Sequence, residues 1–164
     1  MPERSSATIA SQVTSQVTSQ ATAEFVRVGL YANDWATKAL GIVVQSIAPG
    51  AATLTMTVRK DMLNGHQTCH GGLMSTLADS AFAFACNSYN ELTVASGFSV
   101  ELLAPAYEGD RLTAQAVEVS KAGRTGVYDV EVKNQDGKRV AVFRGRSYTL
   151  KGKPSVAAPA EPSV

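Results

Sequence analysis

Residues 71–89 form the longest apolar stretch of the chain, and their Ala, Leu, Met and Phe content favours helix. On a helix, Leu73, Met74, Leu77, Ala78, Ala81, Phe82, Phe84 and Ala85 cover most of the circumference. Such a helix has to be enclosed nearly all round. With 164 residues the chain is long enough for one domain of ordinary size, so the remaining segments must supply the enclosure. Two β-prone runs precede the stretch, 41–47 and 51–58, with Ala48-Pro49-Gly50 as the turn between them. Four follow it, at 92–104, 110–120, 125–133 and 138–150. Asn134-Gln135-Asp136-Gly137 is a hairpin signal, and Tyr128, Val130 and Val132 alternate with Asp129, Glu131 and Lys133 as in a strand with one wet face. Hairpin-linked strands that outnumber helices predict an α+β class, with a curved antiparallel β-sheet wrapped around a long central helix.

A leading amphipathic helix is expected at 24–38, where Phe25, Val28, Tyr31, Ala32 and Trp35 recur at three- and four-residue spacings. Before it, residues 1–23 contain a Ser-Gln-Val-Thr tetrad repeated three times, the last as Ser-Gln-Ala-Thr. A unit this short is low complexity rather than a solenoid, so a flexible extension is expected. Residues 152–164 are rich in Pro, Ala and Ser and predict a flexible tail. The folded domain is thus expected at 24–151.

Charge narrows the partners. The formal net charge is +1 with no dense basic run, which gives a nucleic-acid groove no support. Charged residues make up 18% of the chain against a usual ~25%, compatible with a large core or with surface given to a partner subunit. No run approaches the ~18 apolar residues of a membrane span, and no signal-peptide pattern is present, so a cytoplasmic address is expected. Cys69 and Cys86 are too few for a disulfide framework and are expected to be reduced thiols in packed positions.

Asp79 is the only ionisable acid between Gly71 and Cys86. With Ser75, Thr76 and Ser80 it makes one narrow polar stripe on an otherwise apolar helix. Packing does not call for a carboxylate there, and burial is costly unless the group is paired or has a use. A structural Asp bonded to a loop or reaching water remains the alternative. At the helix start, Gly71-Gly72 lets a ligand approach free N–H groups at the positive end of the helix dipole, which suits a carbonyl oxygen gaining negative charge. Tight entry into the helix explains the two glycines equally well. Asp79 lies eight residues past Gly71, or ~12 Å along the axis. One carbonyl within ~3 Å of both groups therefore requires two helices, antiparallel about a two-fold axis, and a site shared between subunits.

His66, Cys69 and His70 have the residue types of a metal site, but the pair of histidines precedes the helix and Asp79 is too far along it to complete one. A Cys–His nucleophile pair is weak, because neighbouring loop residues seldom point together.

Asn64-Gly65, His70-Gly71-Gly72, Leu77-Ala78-Asp79 and Ala83-Phe84-Ala85 closely resemble the hotdog-fold thioesterases of the phenylacetic-acid-degradation type. The resemblance continues through residues 100–106, Gly109-Asp110 and Gly123-Arg124-Thr125, and covers about residues 24–150. It implies a hotdog fold, a homodimer with a continuous sheet, pairing of dimers into a homotetramer, and hydrolysis of acyl-CoA to free acid and CoA without a metal or other cofactor. Asp79 would be the catalytic carboxylate, as general base or nucleophile, and Gly71 N–H would polarise the thioester carbonyl from the other subunit. Asn64 matches an amide that orients water or the thioester, and His70 belongs to the motif as a loop anchor or carbonyl neighbour. Ser120, Lys121, Gly123, Arg124 and Thr125 would run near the CoA arm, with solvated turn charges as the plainer reading. Phenylacetyl-CoA and its hydroxylated derivatives lead as substrates. A hydratase or dehydratase on thioester-linked acyl chains and a non-catalytic acyl-CoA-binding module remain as alternatives.

Overall fold

The structure, a computed structural model, describes residues 6–158, with side chains from residue 18 onward. Helix α1 (Ser6–Asn33) and the short α2 (Trp35–Ala39) lead into strands β1 (Val43–Ala48) and β2 (Ala51–Thr57). A 3-10 turn at Lys60–Met62 precedes helix α3 (Gly71–Asn87), and β3 (Thr93–Leu102), β4 (Arg111–Ala122), β5 (Thr125–Lys133) and β6 (Arg139–Thr149) follow. The six strands form one antiparallel sheet in the order β1-β2-β4-β5-β6-β3. The sheet wraps α3, as the continuous apolar circumference of residues 71–89 requires, and this is the hotdog arrangement.

The inward positions of the sheet alternate with period two. Leu112, Ala114 and Ala116 of β4, Tyr128, Val130 and Val132 of β5, and Ala141 and Phe143 of β6 are all buried. Against them α3 packs Met74, Leu77, Ala78, Ala81, Phe82, Phe84 and Ala85. Phe82 meets Tyr128 edge-on with centroids 5.5 Å apart and lies 5.8 Å from Phe143, which stacks on Phe98 at 4.9 Å. Large aromatics of this kind each bury enough area to contribute about 1.5–3 kcal/mol. A half-buried polar tie borders the core: Tyr89 and Tyr128 both donate to Glu118 Oε2, at 3.1 and 2.8 Å.

Strands β1 and β3 are the two edges. The β3 edge is ten residues long and carries Val94, Phe98 and Leu102, each about half exposed. Among the described residues no helix is long and apolar enough to cross a membrane.

The leading segment differs from expectation in extent and in face. Helix α1 begins at Ser6, inside the extension expected to be flexible, because no glycine or proline interrupts residues 6–28. Once the packed part nucleates the helix, extension costs little. The buried stripe is Ala23 and Val26, with Leu30 packed against the core, whereas Phe25, Val28 and Trp35 are exposed. Asp34 then breaks the expected helix 24–38: its carboxylate accepts Thr37 N–H at 2.9 Å and Thr37 Oγ1–H at 2.6 Å and caps α2.

The tail is also tied down where a flexible segment was expected from residue 152. Leu92 N–H donates to Lys153 O at 2.8 Å, and Asn90 grips the Val156 backbone at both ends. Ser155 Oγ bonds Asn87 Oδ1 and donates to Glu91 O at 3.0 Å. Residues 1–5 and 159–164, the ends of the expected extension and tail, lie outside the described residues.

Candidate active site

Helix α3 positions the central carboxylate. Two of the stripe's hydroxyls turn back onto their own helix, Ser75 Oγ to Gly71 O and Thr76 Oγ1 to Gly72 O, both at 2.9 Å. A third, Ser80 Oγ, meets Thr37 Oγ1 of α2 at 3.3 Å. Asp79 is left half-buried, without a hydrogen-bond or ion-pair partner among the described residues. Burial alone pushes its pKa above the ordinary carboxylate value. A carboxylate that is desolvated, unpaired and still reachable is poised to take a proton.

The opposite end of α3 supplies a donor. The Gly71 N–H makes no hydrogen bond among the described residues, while His70 Nδ1 accepts the Gly72 N–H at 3.2 Å. His70 is therefore the helix N-cap, and its backbone N–H donates to Met62 O at 2.9 Å. The glycine at 71 answers a close approach, since a Cβ there would lie 2.4 Å from Leu102 Cδ1 of β3. Leu102 sits on the open β3 edge, so the start of α3 lies beside that edge. Within one chain α3 is a single uninterrupted helix, which keeps Asp79 and Gly71 ~12 Å apart along its axis.

Asn64 holds its own loop. Its Oδ1 accepts from His66 N at 2.8 Å and from Thr68 N and Oγ1 at 3.3 and 3.2 Å, and its Nδ2 donates to Thr68 Oγ1 at 3.0 Å. This is an Asx-type turn ahead of the helix. Asn64→Ala should therefore lower stability by about 1–2 kcal/mol in a denaturant titration. Asn64→Asp, which keeps the acceptor, should retain most of it. A kinetic loss shared by both variants with stability intact would assign the amide to substrate instead.

The segment expected as a turn at 120–125 is mostly strand. Ser120 and Lys121 belong to β4, Thr125 opens β5, and only Gly123 and Arg124 form the turn. The β4 hydrogen-bond ladder, with a register shift between Glu118 and Ser120, carries the strand that far. Lys121 is already engaged: its Nζ pairs with Glu91 at 2.7 Å and lies 4.1 Å from the centre of the Tyr89 ring. Arg124 Nη1 donates to Tyr148 OH at 3.0 Å. Arg146 lies two residues before Tyr148 on the same face of β6, and it pairs with no carboxylate among the described residues. It is a candidate cation that sequence reading passed over, because only the fold brings β6 beside the β4–β5 turn.

The cysteines take no part. Both are buried and unpaired, and burial pushes the Cys69 thiol up and that of Cys86 to about 12, so neither is a ready nucleophile. Among the described residues no three of His, Cys, Asp and Glu gather as a metal site.

With this geometry in hand, the chain can be set beside known proteins. The family described as Thioesterase superfamily matches residues 66–141. The chain is 50% identical over 123 residues to the acyl-coenzyme A thioesterase PaaI of Escherichia coli strain K12, covering 75% of this chain and 88% of the relative. The structure of the E. coli PaaI protein from the phenylacetic acid degradation operon superposes with a TM-score of 0.80 at 47% identity, over 82% of this chain and 97% of that one. A Streptococcus mutans protein solved with bound acetyl-CoA superposes with a TM-score of 0.66 at 26% identity, over 68% of this chain and 90% of that one. Half-identity to a relative of nearly matching span, joined to the hotdog sheet around α3, leads to one conclusion: the chain belongs to the thioesterase superfamily.

Proposed function

We propose that this protein hydrolyses acyl-CoA thioesters to the free acid and CoA, with phenylacetyl-type aromatic acyl groups preferred. The observation that carries the reading is Asp79, a half-buried carboxylate with a raised pKa and no partner among the described residues, on a helix whose Gly71 N–H is also free among them. The name of the E. coli relative and the acetyl-CoA bound to the S. mutans protein support the substrate class, and the phenylacetic acid degradation operon of the E. coli protein supports the acyl preference.

In the reaction Asp79 takes a proton from water, and the water oxygen bonds to the thioester carbonyl carbon. Gly71 N–H of the partner subunit donates to the carbonyl oxygen as negative charge develops on it. The C–S bond then breaks, and CoA leaves as a thiolate that needs little help from an acid. Arg124 and Arg146 are the cations we assign to the CoA phosphates.

Sharing the site requires a dimer, and the exposed, apolar β3 edge is the surface we assign to it, since a long unpaired edge is otherwise an aggregation hazard. Phe98→Asp should leave a monomer by sedimentation and abolish turnover. A fully active Phe98→Asp monomer would remove the shared site. The reaction class is tested by incubation with phenylacetyl-CoA and a thiol reagent. Release of free CoA supports hydrolysis; hydration of an enoyl-CoA without release, or binding without turnover, overturns it.

A further inference from the structure

Beyond Asp79, one helical turn along the same face of α3, Ala83 opens a groove of about 890 Å³. Its lining is largely apolar, with Leu30 and Trp35 on one side, Phe84 of α3 on the other and Val156 across the far end, while Asp34 and Asn87 add polar groups. The groove follows α3 from Ala83 to Asn87, ~6 to ~12 Å past the carboxylate at 1.5 Å per residue. That span suits the body of a short or medium acyl group whose carbonyl lies at Asp79, and it ends too soon for a long chain.

What ends it is the C-terminal strap. Val156 is fixed from two directions. Asn90 Oδ1 accepts the Val156 N–H at 2.9 Å, and Asn90 Nδ2 donates to Val156 O at 3.2 Å. The side chain seats on Gly29 of α1, where a Cβ would lie 2.3 Å from Val156 Cγ1. A glycine inside a helix costs about 1 kcal/mol relative to alanine, and here it opens the seat for a valine more than a hundred residues away in the chain. Ser155, bonded to Asn87 and Glu91, holds the strap against the end of α3.

We propose that this strap, through Val156 seated on Gly29, is the distal wall of the acyl subsite and sets the length of acyl group the enzyme accepts. The proposal rests on the acyl-CoA thioesterase reading and adds to it a specificity-determining residue that does not touch the reacting atoms. The backbone bonds to Asn90 do not depend on the Val156 side chain, so Val156→Ala opens the groove end without releasing the strap. Gly29→Ala acts from the other side, forcing Val156 off its seat.

The test measures kcat/KM of the full-length protein and both variants over straight-chain acyl-CoAs from butanoyl to dodecanoyl. Each variant should raise the dodecanoyl-to-hexanoyl ratio of kcat/KM about tenfold, the range that a few methylenes in an apolar pocket provide. Thermal melts of both variants establish that they are folded. A ratio within about twofold of wild type in both folded variants overturns the strap as a wall, since even one methylene discriminates more than that. In that case an active wild type leaves the thioesterase reading standing. A wild type that releases no CoA from any acyl-CoA overturns both.

Discussion

Asp79→Asn is expected to lower kcat for acyl-CoA hydrolysis by about 10²–10⁴-fold, the range of a lost general base, with the fold unchanged. The amide matches the carboxylate in size, and Asp79 makes no hydrogen bond among the described residues whose loss could disturb packing. Stability should move the other way. Burial raises the Asp79 pKa in the folded chain above its ordinary value of 3.8, so the folded state binds the proton more tightly than the unfolded one. The resulting contribution to stability is fully present below the ordinary value and is lost as pH rises through the raised one. At neutral pH the ionised carboxylate therefore opposes folding, and Asn removes that opposition. A small rise in Tm is expected, since the group is only half-buried and solvent screens part of the penalty. In the wild type, kcat/KM should climb with pH through the raised pKa, and the residual activity of Asp79→Asn should lack that acid limb. Retention of most of the wild-type kcat by Asp79→Asn would remove the catalytic assignment. A fall in Tm would show that the carboxylate serves the fold.

Much of the enclosure was legible because its signals are local. The circumference of residues 71–89, the alternation through Tyr128, Val130 and Val132, and the Asn134–Gly137 hairpin each report on neighbours in sequence. Asp79 stood out for the same reason, as one acid in an apolar helix. What escaped reading depends on contacts between distant segments. Phe25, Val28 and Trp35 have helical spacing, yet the buried stripe is Ala23 and Val26; small residues sit where α1 approaches the sheet closely, and hydrophobicity alone does not reveal which stripe that is. The Pro- and Ala-rich tail has the composition of a flexible segment, but Asn87, Asn90 and Gly29 provide its anchors from two helices and a turn. Arg146 is one more charge on an outward strand position until β6 pairs with β5 and sets it on the same face as Tyr148, the residue that Arg124 contacts. Asn64 and His70 were picked out by resemblance, and the loop geometry adds what the resemblance could not: each is bound to the backbone that leads into α3.

The second large effect concerns the division of the site between chains. Gly71→Pro removes the donor N–H at a helix position where proline is otherwise tolerated, but added atoms there meet Leu102. The variant is therefore built with Leu102→Ala, and Leu102→Ala alone serves as the control that must stay active. Homodimers of the Gly71→Pro, Leu102→Ala chain should be inactive, as should homodimers of Asp79→Ala. In a mixed dimer one site carries both defects, and the other pairs an intact Asp79 with an intact Gly71 N–H.

The decisive measurement is CoA release by an equal, freely exchanged mixture of these two inactive, folded chains. Half of the dimers are mixed and half of their sites are intact, so activity should reappear at about a quarter of the Leu102→Ala value if the two sites work independently. A mixture that exchanges subunits and stays inactive would mean that Asp79 and Gly71 act on one thioester within a single chain, or not together at all, and the shared site would be wrong.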